Sequence, residues 1–469
     1  MHSSSLDIYC VAIGGTGMAP LACLLQALGH RVRGADGPLY PPMSTLLETA
    51  GIVPLVGYDP AHLEAEPRPD LVVVGNAVPR HNPEAEAVER LGLPRLSMPQ
   101  AVARFFLQGR KPLVVAGTHG KTTTSSIAAW VYASAGADPG YLIGGMPRNL
   151  GRSFHIGSGP RFVIEGDEYN AAYFDRGPKF LHYQPQTLIL TSVEYDHADL
   201  YPQPEALTEA YRALVRLLPP EGLLVAFGDS PEVREVAAAA GCKVLFYGLG
   251  DDNDVRPVSA VDYGPRGCRL TVQDPSRIET ELVLGVPGEH NVCNALAVWT
   301  AASHDGLDGA AVRDALASFR GASRRLEELG TRRGVTVIDD FAHHPTAVEK
   351  SLDGLRRAYT GRRLLALFEP RSLTAGRSFF FEAYLRAFAQ ADVVLMAPIF
   401  HHGRLEEAER LDIESLLVEL RAAGVDASAC DSNDALLSEA LDRARAGDVI
   451  VTMSSGSFDG LPRRIFDGL

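Results

Sequence analysis

The stretch Pro112-Leu-Val-Val-Ala-Gly-Thr-His-Gly-Lys-Thr-Thr-Thr124 limits what this chain can fold into more than any other. Leu113 to Val115 have the apolar, β-branched character of a strand buried on both faces of a parallel sheet, and Ser125 to Ala135 predict a helix after it. The loop between them therefore sits at a helix N-terminus. There Gly117 and Gly120 let backbone N–H groups wrap an anion, Lys121 reaches the outer phosphates of a nucleotide, and Thr122 is placed to ligate Mg²⁺. Thr118, His119 and Thr123 belong to the same loop. The spacing departs from the common Walker form, because Val115 stands where its first glycine belongs. A chance tight turn would also carry two glycines, but the flanking strand and helix favour phosphate binding.

At 469 residues the chain predicts two or three domains. A formal net charge of -14 argues against nucleic acid or an anionic membrane surface as partner, so an anionic substrate must be held by a few placed residues. The six cysteines are scattered, without metal-finger spacing, and read as core packing. No basic leader precedes an apolar run, and no run approaches a membrane span, which predicts a cytoplasmic protein without membrane insertion.

Ile8 to Ile13, then Gly14-Gly15-Thr16-Gly17, an apolar helix to Leu28, and Arg31 to Ala35 ending at Asp36 form a Rossmann-like β-α-β start. Gly15 and Gly17 fit the first two glycines of the dinucleotide fingerprint, but Pro20 occupies the third. A nicotinamide cofactor and another nucleotide diphosphate remain alternatives for this crevice. Leu71 to Val74 runs into Gly75-Asn76-Ala77, and a domain boundary is expected near Gly109.

Beyond the phosphate loop, Phe162-Val-Ile-Glu165-Gly-Asp167-Glu168 and Thr187 to Leu190 followed by Thr191-Ser-Val-Glu194-Tyr-Asp196-His197 are strands ending in acids. Parallel strands deliver such residues to the edge that carries the phosphate loop, where oxygen ligands with one imidazole suit Mg²⁺. Strand-end acids facing water are the alternative. His290, Asn291 and Asn294 precede the helix expected over residues 295–302, as adenine readers or as N-capping residues. His343-His344 and His401-His402 invite a metal, but neighbours on a strand face opposite ways. Val335 to Asp340, Leu364 to Phe368, Val393 to Met396 and Val449 to Met453 supply more strands. The fold class is α/β in three domains: a Rossmann-like domain over 1–109, a central ATP-binding domain with a mostly parallel sheet over 110–322, and a Rossmann-like C-terminal domain over 323–469.

With these residues in view the chain resembles the Mur ligase family, ATP-dependent enzymes that build the peptide of bacterial peptidoglycan. Gly117-Thr-His-Gly-Lys-Thr-Thr is similar to the family's shortened phosphate loop. The Glu-x-Asp-Glu, Asp-His, Gly-x-His-Asn and Asp-Asp-x-x-His-His-Pro elements follow in the family's order over nearly the whole chain. Gly14 to Met18 is similar to the branch whose N-terminal domain holds UDP-N-acetylmuramate. Tyr40 to Glu48, Gly75 to Ala77 and Phe162 to Asp175 are similar to members of that branch that recycle an intact tripeptide. Asn170 and Ser454-Ser-Gly-Ser-Phe-Asp459 depart from the expected pattern, whereas the absence of a lysine between Lys179 and Lys243, where several relatives carry a carbamoylated one, fits this branch.

The resemblance implies an ADP-forming ligase that joins L-alanyl-γ-D-glutamyl-meso-diaminopimelate to UDP-N-acetylmuramate through an acyl phosphate, with ATP as co-substrate and two Mg²⁺ ions. It assigns Lys121, Glu165 and His197 to catalysis, and Thr122, Glu165 and His197 to metal. His290, Asn291 and Asn294 would read the adenine, Arg324 and Asp340 would contact phosphate and ribose from the closing domain, and Gly15, Gly17, Asp36 and Asn76 would line the UDP-sugar crevice. Arg371 is a candidate for a peptide carboxylate, or equally an ordinary salt-bridge residue. The competing readings are an L-alanine ligase of the same branch, a nicotinamide-dependent oxidoreductase and a non-catalytic nucleotide-binding regulator. The sequence leaves the oligomeric state open.

Overall fold

The first sheet of the chain is five-stranded and all parallel, in the order Leu55–Val56, Arg31–Asp36, Asp7–Val11, Leu71–Val74, Arg95–Ser97. That is the 3-2-1-4-5 order of a doubly wound nucleotide fold, with its crevice where the order reverses. The computed structural model describes residues 5–195, 200–201, 203–401, 403 and 405–469, with Glu407 by its backbone alone.

The central sheet has seven strands in the order Lys243–Tyr247, Leu223–Phe227, Thr187–Leu190, Lys111–Ala116, Arg161–Gly166, Gly140–Leu142, Phe154–His155, and only the last pairs antiparallel. Lys111–Ala116 is buried on both faces. Val114 and Ala116 pack into one apolar core, Leu113 and Val115 into the other, as the unbroken apolar run predicts. Register sets Ala116 beside Gly166 on one neighbour and Leu190 on the other. The phosphate loop therefore leaves the sheet between the two acid-bearing strand ends.

The last sheet orders Glu327–Arg332, Val335–Asp340, Val449–Met453, Leu364–Phe368, Val393–Met396 and Asp426–Ala429, parallel except for its first strand. Three α/β units are thus present, as expected. The helix after the phosphate loop starts earlier than expected, at Lys121–Ser134, because the hydroxyls of its first turns are buried rather than looped. The helix Glu289–His304 likewise takes in His290, Asn291 and Asn294, and its N-cap is Gly288 with no side-chain cap. The capping alternative for those residues is thereby removed.

Two antiparallel additions go beyond the expected pattern: a four-stranded unit of Arg256–Pro257, Asp262–Gly264, Gly267–Gln273 and Glu279–Leu284, and the hairpin Asn170–Ala172 with Asp175–Pro178. His343 and His344 lie in the turn before helix Pro345–Ala358 rather than on a strand, so the opposite-faces argument against them does not apply. Cys10, Cys23 and Cys268 are core residues, and all six cysteines are free. Among the described residues no helix is long and apolar enough to cross a membrane.

Candidate active site

Gly117 holds φ +134°, and a Cβ there would overlap Thr191 Oγ1 and stand 2.7 Å from Ser192 N. Gly120 holds φ +80°, and its Cβ would come within 2.9 Å of Asn294 Oδ1. Each glycine is thus required twice, for its backbone conformation and for close approach of a neighbouring element. Thr118 Oγ1 donates to Glu194 O at 3.0 Å and accepts from Glu194 N at 2.9 Å, and His119 N donates to Ser192 Oγ at 2.9 Å. The loop is stitched to the strand end at 191–194. Thr123, buried in the first turn, completes it.

Lys121 opens the helix and turns back over the loop. Its ammonium donates to Gly117 O at 2.7 Å, to Thr118 O at 3.5 Å, and to both carboxylate oxygens of Glu168 at 3.2 and 3.0 Å. Burial works against its charge, but Glu168, Asp167 and Glu165 outweigh that and hold its pKa above the ordinary lysine value. Thr122 Oγ1 donates to Glu165 Oε2 at 3.1 Å, while Glu165 Oε1 accepts from Gly144 N at 2.7 Å. Burial, then the charge of Asp167, raises the Glu165 carboxyl. His197, with Asp196, lies outside the described residues.

The C-terminal domain completes this edge. Its cation against the loop is Arg325, not Arg324: Arg325 Nη2 donates to Thr122 Oγ1 at 3.3 Å, with its guanidinium over Phe341. Arg324 turns the other way, donating to Ser454 O at 2.8 Å and to Gly456 O and pairing with Asp339 at 3.3 Å. Arg324 and Leu326 both sit at positive φ, +59° and +48°. The carboxylate of Asp340 accepts from Leu326 N at 2.7 Å and Ala342 N at 2.6 Å, so it fixes the segment that aims Arg325.

A second contact between the domains runs through Glu194, whose Oε2 accepts from Thr346 Oγ1 at 2.7 Å and lies 3.3 Å from His119 Nε2. The His119 and His344 rings stand 4.7 Å apart. Ligand atoms of His119, Glu194 and His344 lie within 4.8 Å of one another, so His344, of the His343-His344 pair, reaches a cluster that could hold a metal ion.

On the helix after Gly288, Asn291 Nδ2 donates to Pro287 O at 2.7 Å and Asn294 Nδ2 to Asn291 Oδ1 at 3.3 Å. His290 Nδ1 is buried with no hydrogen-bond partner. Burial, then the charge of Lys350, lowers its pKa to about 4, so the imidazole is neutral. Helix Pro345–Ala358 closes over this point: a Cβ on Gly354 would stand 3.2 Å from Gly288 Cα and 3.7 Å from His290 Cε1.

Family models match the chain in three consecutive pieces: the Mur ligase family catalytic domain over residues 7–110, the Mur ligase middle domain over 115–302 and the Mur ligase glutamate ligase domain over 324–456. The UDP-N-acetylmuramate–L-alanyl-γ-D-glutamyl-meso-2,6-diaminoheptandioate ligase of Escherichia coli is 39% identical over 467 residues, 99% of this chain and 98% of that one. The chain belongs to the Mur ligase family. It is therefore an ATP-dependent, ADP-forming amide ligase. The UDP-N-acetylmuramate–L-alanine ligase of Kineococcus radiotolerans is 40% identical over 397 residues, 84% of this chain and 81% of that one. The crystal structure of a murein peptide ligase from Psychrobacter arcticus superposes with TM-score 0.73 at 34% identity, covering 99% of this chain and 98% of that one.

In this Mur ligase Gly15, Gly17, Asp36 and Asn76 gather at the carboxyl edge of the first sheet. Asp36 is already engaged, accepting from Gly14 N at 2.7 Å, Gly37 N at 2.8 Å and Tyr58 Oη at 2.9 Å. It shapes the glycine turn. Arg371 lies apart from these groups, its guanidinium carbon 3.9 Å from the Phe400 ring centroid and its Nη1 3.4 Å from Glu369. Sequence reasoning places Glu168 and Glu194 only among the strand-end acids offered to Mg²⁺, and passes over Arg325 and Thr346 as site residues. The available signals were the Arg324-Arg325 pair itself and the acids on the two strand ends.

Proposed function

We propose that this chain joins UDP-N-acetylmuramate to L-alanyl-γ-D-glutamyl-meso-diaminopimelate, cleaving ATP to ADP and phosphate, as a peptidoglycan-recycling step in the cytoplasm. The observation that carries this reading is the 39% identity to the E. coli tripeptide ligase across 99% of the chain. The three domains, taken as 1–109, 110–322 and 323–469, divide the labour among sugar, nucleotide and peptide.

The lactyl carboxylate of the sugar attacks the γ-phosphorus, ADP leaves, and the tripeptide amine then attacks the acyl phosphate and expels phosphate. Two anions must meet, so positioning and charge neutralisation supply most of the catalysis. Lys121 and the loop N–H groups face the migrating phosphoryl from the central domain, and Arg325 faces it from the C-terminal domain. Thr122 Oγ1 and Glu165 Oε2, 3.1 Å apart, are hard oxygen donors that suit Mg²⁺, and with His197 they would hold the two ions the reaction uses. Bound there, Mg²⁺ would screen the phosphate charge. His290, through its unpartnered buried Nδ1, with Asn291 and Asn294 would read the adenine. Arg371, over the Phe400 ring, would take a peptide carboxylate.

The test is incubation with ATP, Mg²⁺ and UDP-N-acetylmuramate plus either the tripeptide or L-alanine, following phosphate release and product mass. Turnover with the tripeptide alone is expected. Turnover with L-alanine alone would favour the second reading, an L-alanine ligase, which the Kineococcus likeness supports.

A further inference from the structure

Lys121 carries three N–H donors, and the protein takes all of them. Glu168 receives two bonds, at 3.2 and 3.0 Å, while Gly117 O receives one at 2.7 Å, with Thr118 O more distant at 3.5 Å. The Glu168 side chain is 1% exposed. Its backbone is fixed as well, since Tyr201 Oη donates to Glu168 O at 2.6 Å. A carboxylate offering two oxygens to one ammonium presents the same face that two phosphate oxygens would. No nucleotide oxygen can engage Lys121 until one of those donors is released.

We propose that Glu168 is a positioning residue for Lys121, an internal stand-in that keeps the ammonium over the loop in the free enzyme and gives it up to ATP phosphate. This rests on the nucleotide reading above. Two consequences follow, in opposite directions. Without the Glu168 charge, the free enzyme loses the competitor for Lys121 and a negative charge beside the polyphosphate, so nucleotide binds more tightly. The same loss leaves Lys121 less well aimed, so turnover slows.

The experiment measures AMP-PNP binding with Mg²⁺ by calorimetry in the wild type, Glu168→Gln and Glu168→Asp. The Glu168→Gln variant is expected to bind about tenfold more tightly, the scale of one charge-assisted hydrogen bond released from competition, while kcat falls. Glu168→Asp, which keeps the charge, is expected to stay near the wild-type affinity. A merely structural glutamate would instead weaken binding or leave it unchanged, and either result with a wild-type melting profile overturns the proposal. A crystal structure of the wild type with AMP-PNP and Mg²⁺ covers the case of a misfolded variant. Lys121 should have moved from Glu168 to a phosphate oxygen, and an intact two-oxygen pair beside bound nucleotide overturns the proposal. Failure of the wild type to bind AMP-PNP would instead overturn the nucleotide reading itself.

Discussion

Neighbouring arginines that point to different domains allow a sharp test by comparing Arg325→Ala with Arg324→Ala. Arg325 is half-buried against Thr122, and its charge compensates Asp340 and Glu165. An arginine that meets the migrating phosphoryl contributes about 10³- to 10⁵-fold in other phosphoryl-transfer enzymes. Taking the lower end, Arg325→Ala should lower kcat/KM for ATP about 10³-fold, or ~4 kcal/mol. Asp340, which is buried, and Glu165, which is half-buried, also lose a cation, which should cost about 3 kcal/mol of stability, the lower end for an uncompensated buried charge, so melting is measured alongside. Arg325→Lys keeps the charge without the planar fork and should recover part of the rate. Arg324 donates to two backbone carbonyls and pairs with a partly exposed carboxylate. Its loss should cost about 1–3 kcal/mol of stability and leave kcat/KM for ATP within about threefold. The assay is phosphate release at saturating sugar and peptide. If Arg324→Ala abolished turnover while Arg325→Ala retained most of it, the reasoning would be refuted.

Gly117→Ala should abolish ATP-analogue binding, because the new Cβ meets Thr191 and Ser192 while the backbone sits at φ +134°; overpacking of this kind costs about 1–3 kcal/mol before any strain is added, and calorimetry gives the outcome. Glu165 is raised by burial and Asp167, so it takes up a proton at a higher pH than an ordinary glutamate and then cannot hold a cation. The Mg²⁺ concentration needed for half-maximal rate should therefore climb as pH falls through that raised value, and a Mg²⁺ titration across pH that stayed flat in the wild type would contradict this. Burial opposes the charge on Glu194, yet His119, Thr346 and Lys350 hold its pKa at about 2; its contribution to stability is then full above the ordinary glutamate range and fades as pH falls toward 2. Thr346→Val removes the hydroxyl from this contact, and small-angle scattering should show a less compact enzyme with ATP and UDP-sugar bound, with the KM for ATP up by roughly three- to tenfold.

The parallel strands and the phosphate loop were legible because their signals are local. Leu71–Val74, Leu364–Phe368, Val393–Met396 and Val449–Met453 fall where the apolar runs place them, and a glycine turn between strand and helix announces an anion site by itself. Contacts between domains leave no such mark. Thr346 lies 152 residues from Glu194, and no spacing relates them. Arg324 and Arg325 are adjacent, so the left-handed backbone of Arg324 and Leu326, on either side of Arg325, sets which one reaches the loop. The antiparallel unit did have a signal, the alternation of Cys268, Leu270 and Val272 with polar neighbours, but such a strand lacks the unbroken apolar run that marks the parallel ones.

The near contact of Gly354 with Gly288 bears on the timing of the cycle. A nucleotide seated against His290 would have the central domain as floor and helix Pro345–Ala358 as outer wall. ADP made there would not depart by diffusion alone if its exit waited until the two backbones parted. Opening, a motion of microseconds to milliseconds in lidded enzymes, then becomes a clock separate from the chemistry, and a first turnover faster than those that follow would be its signature.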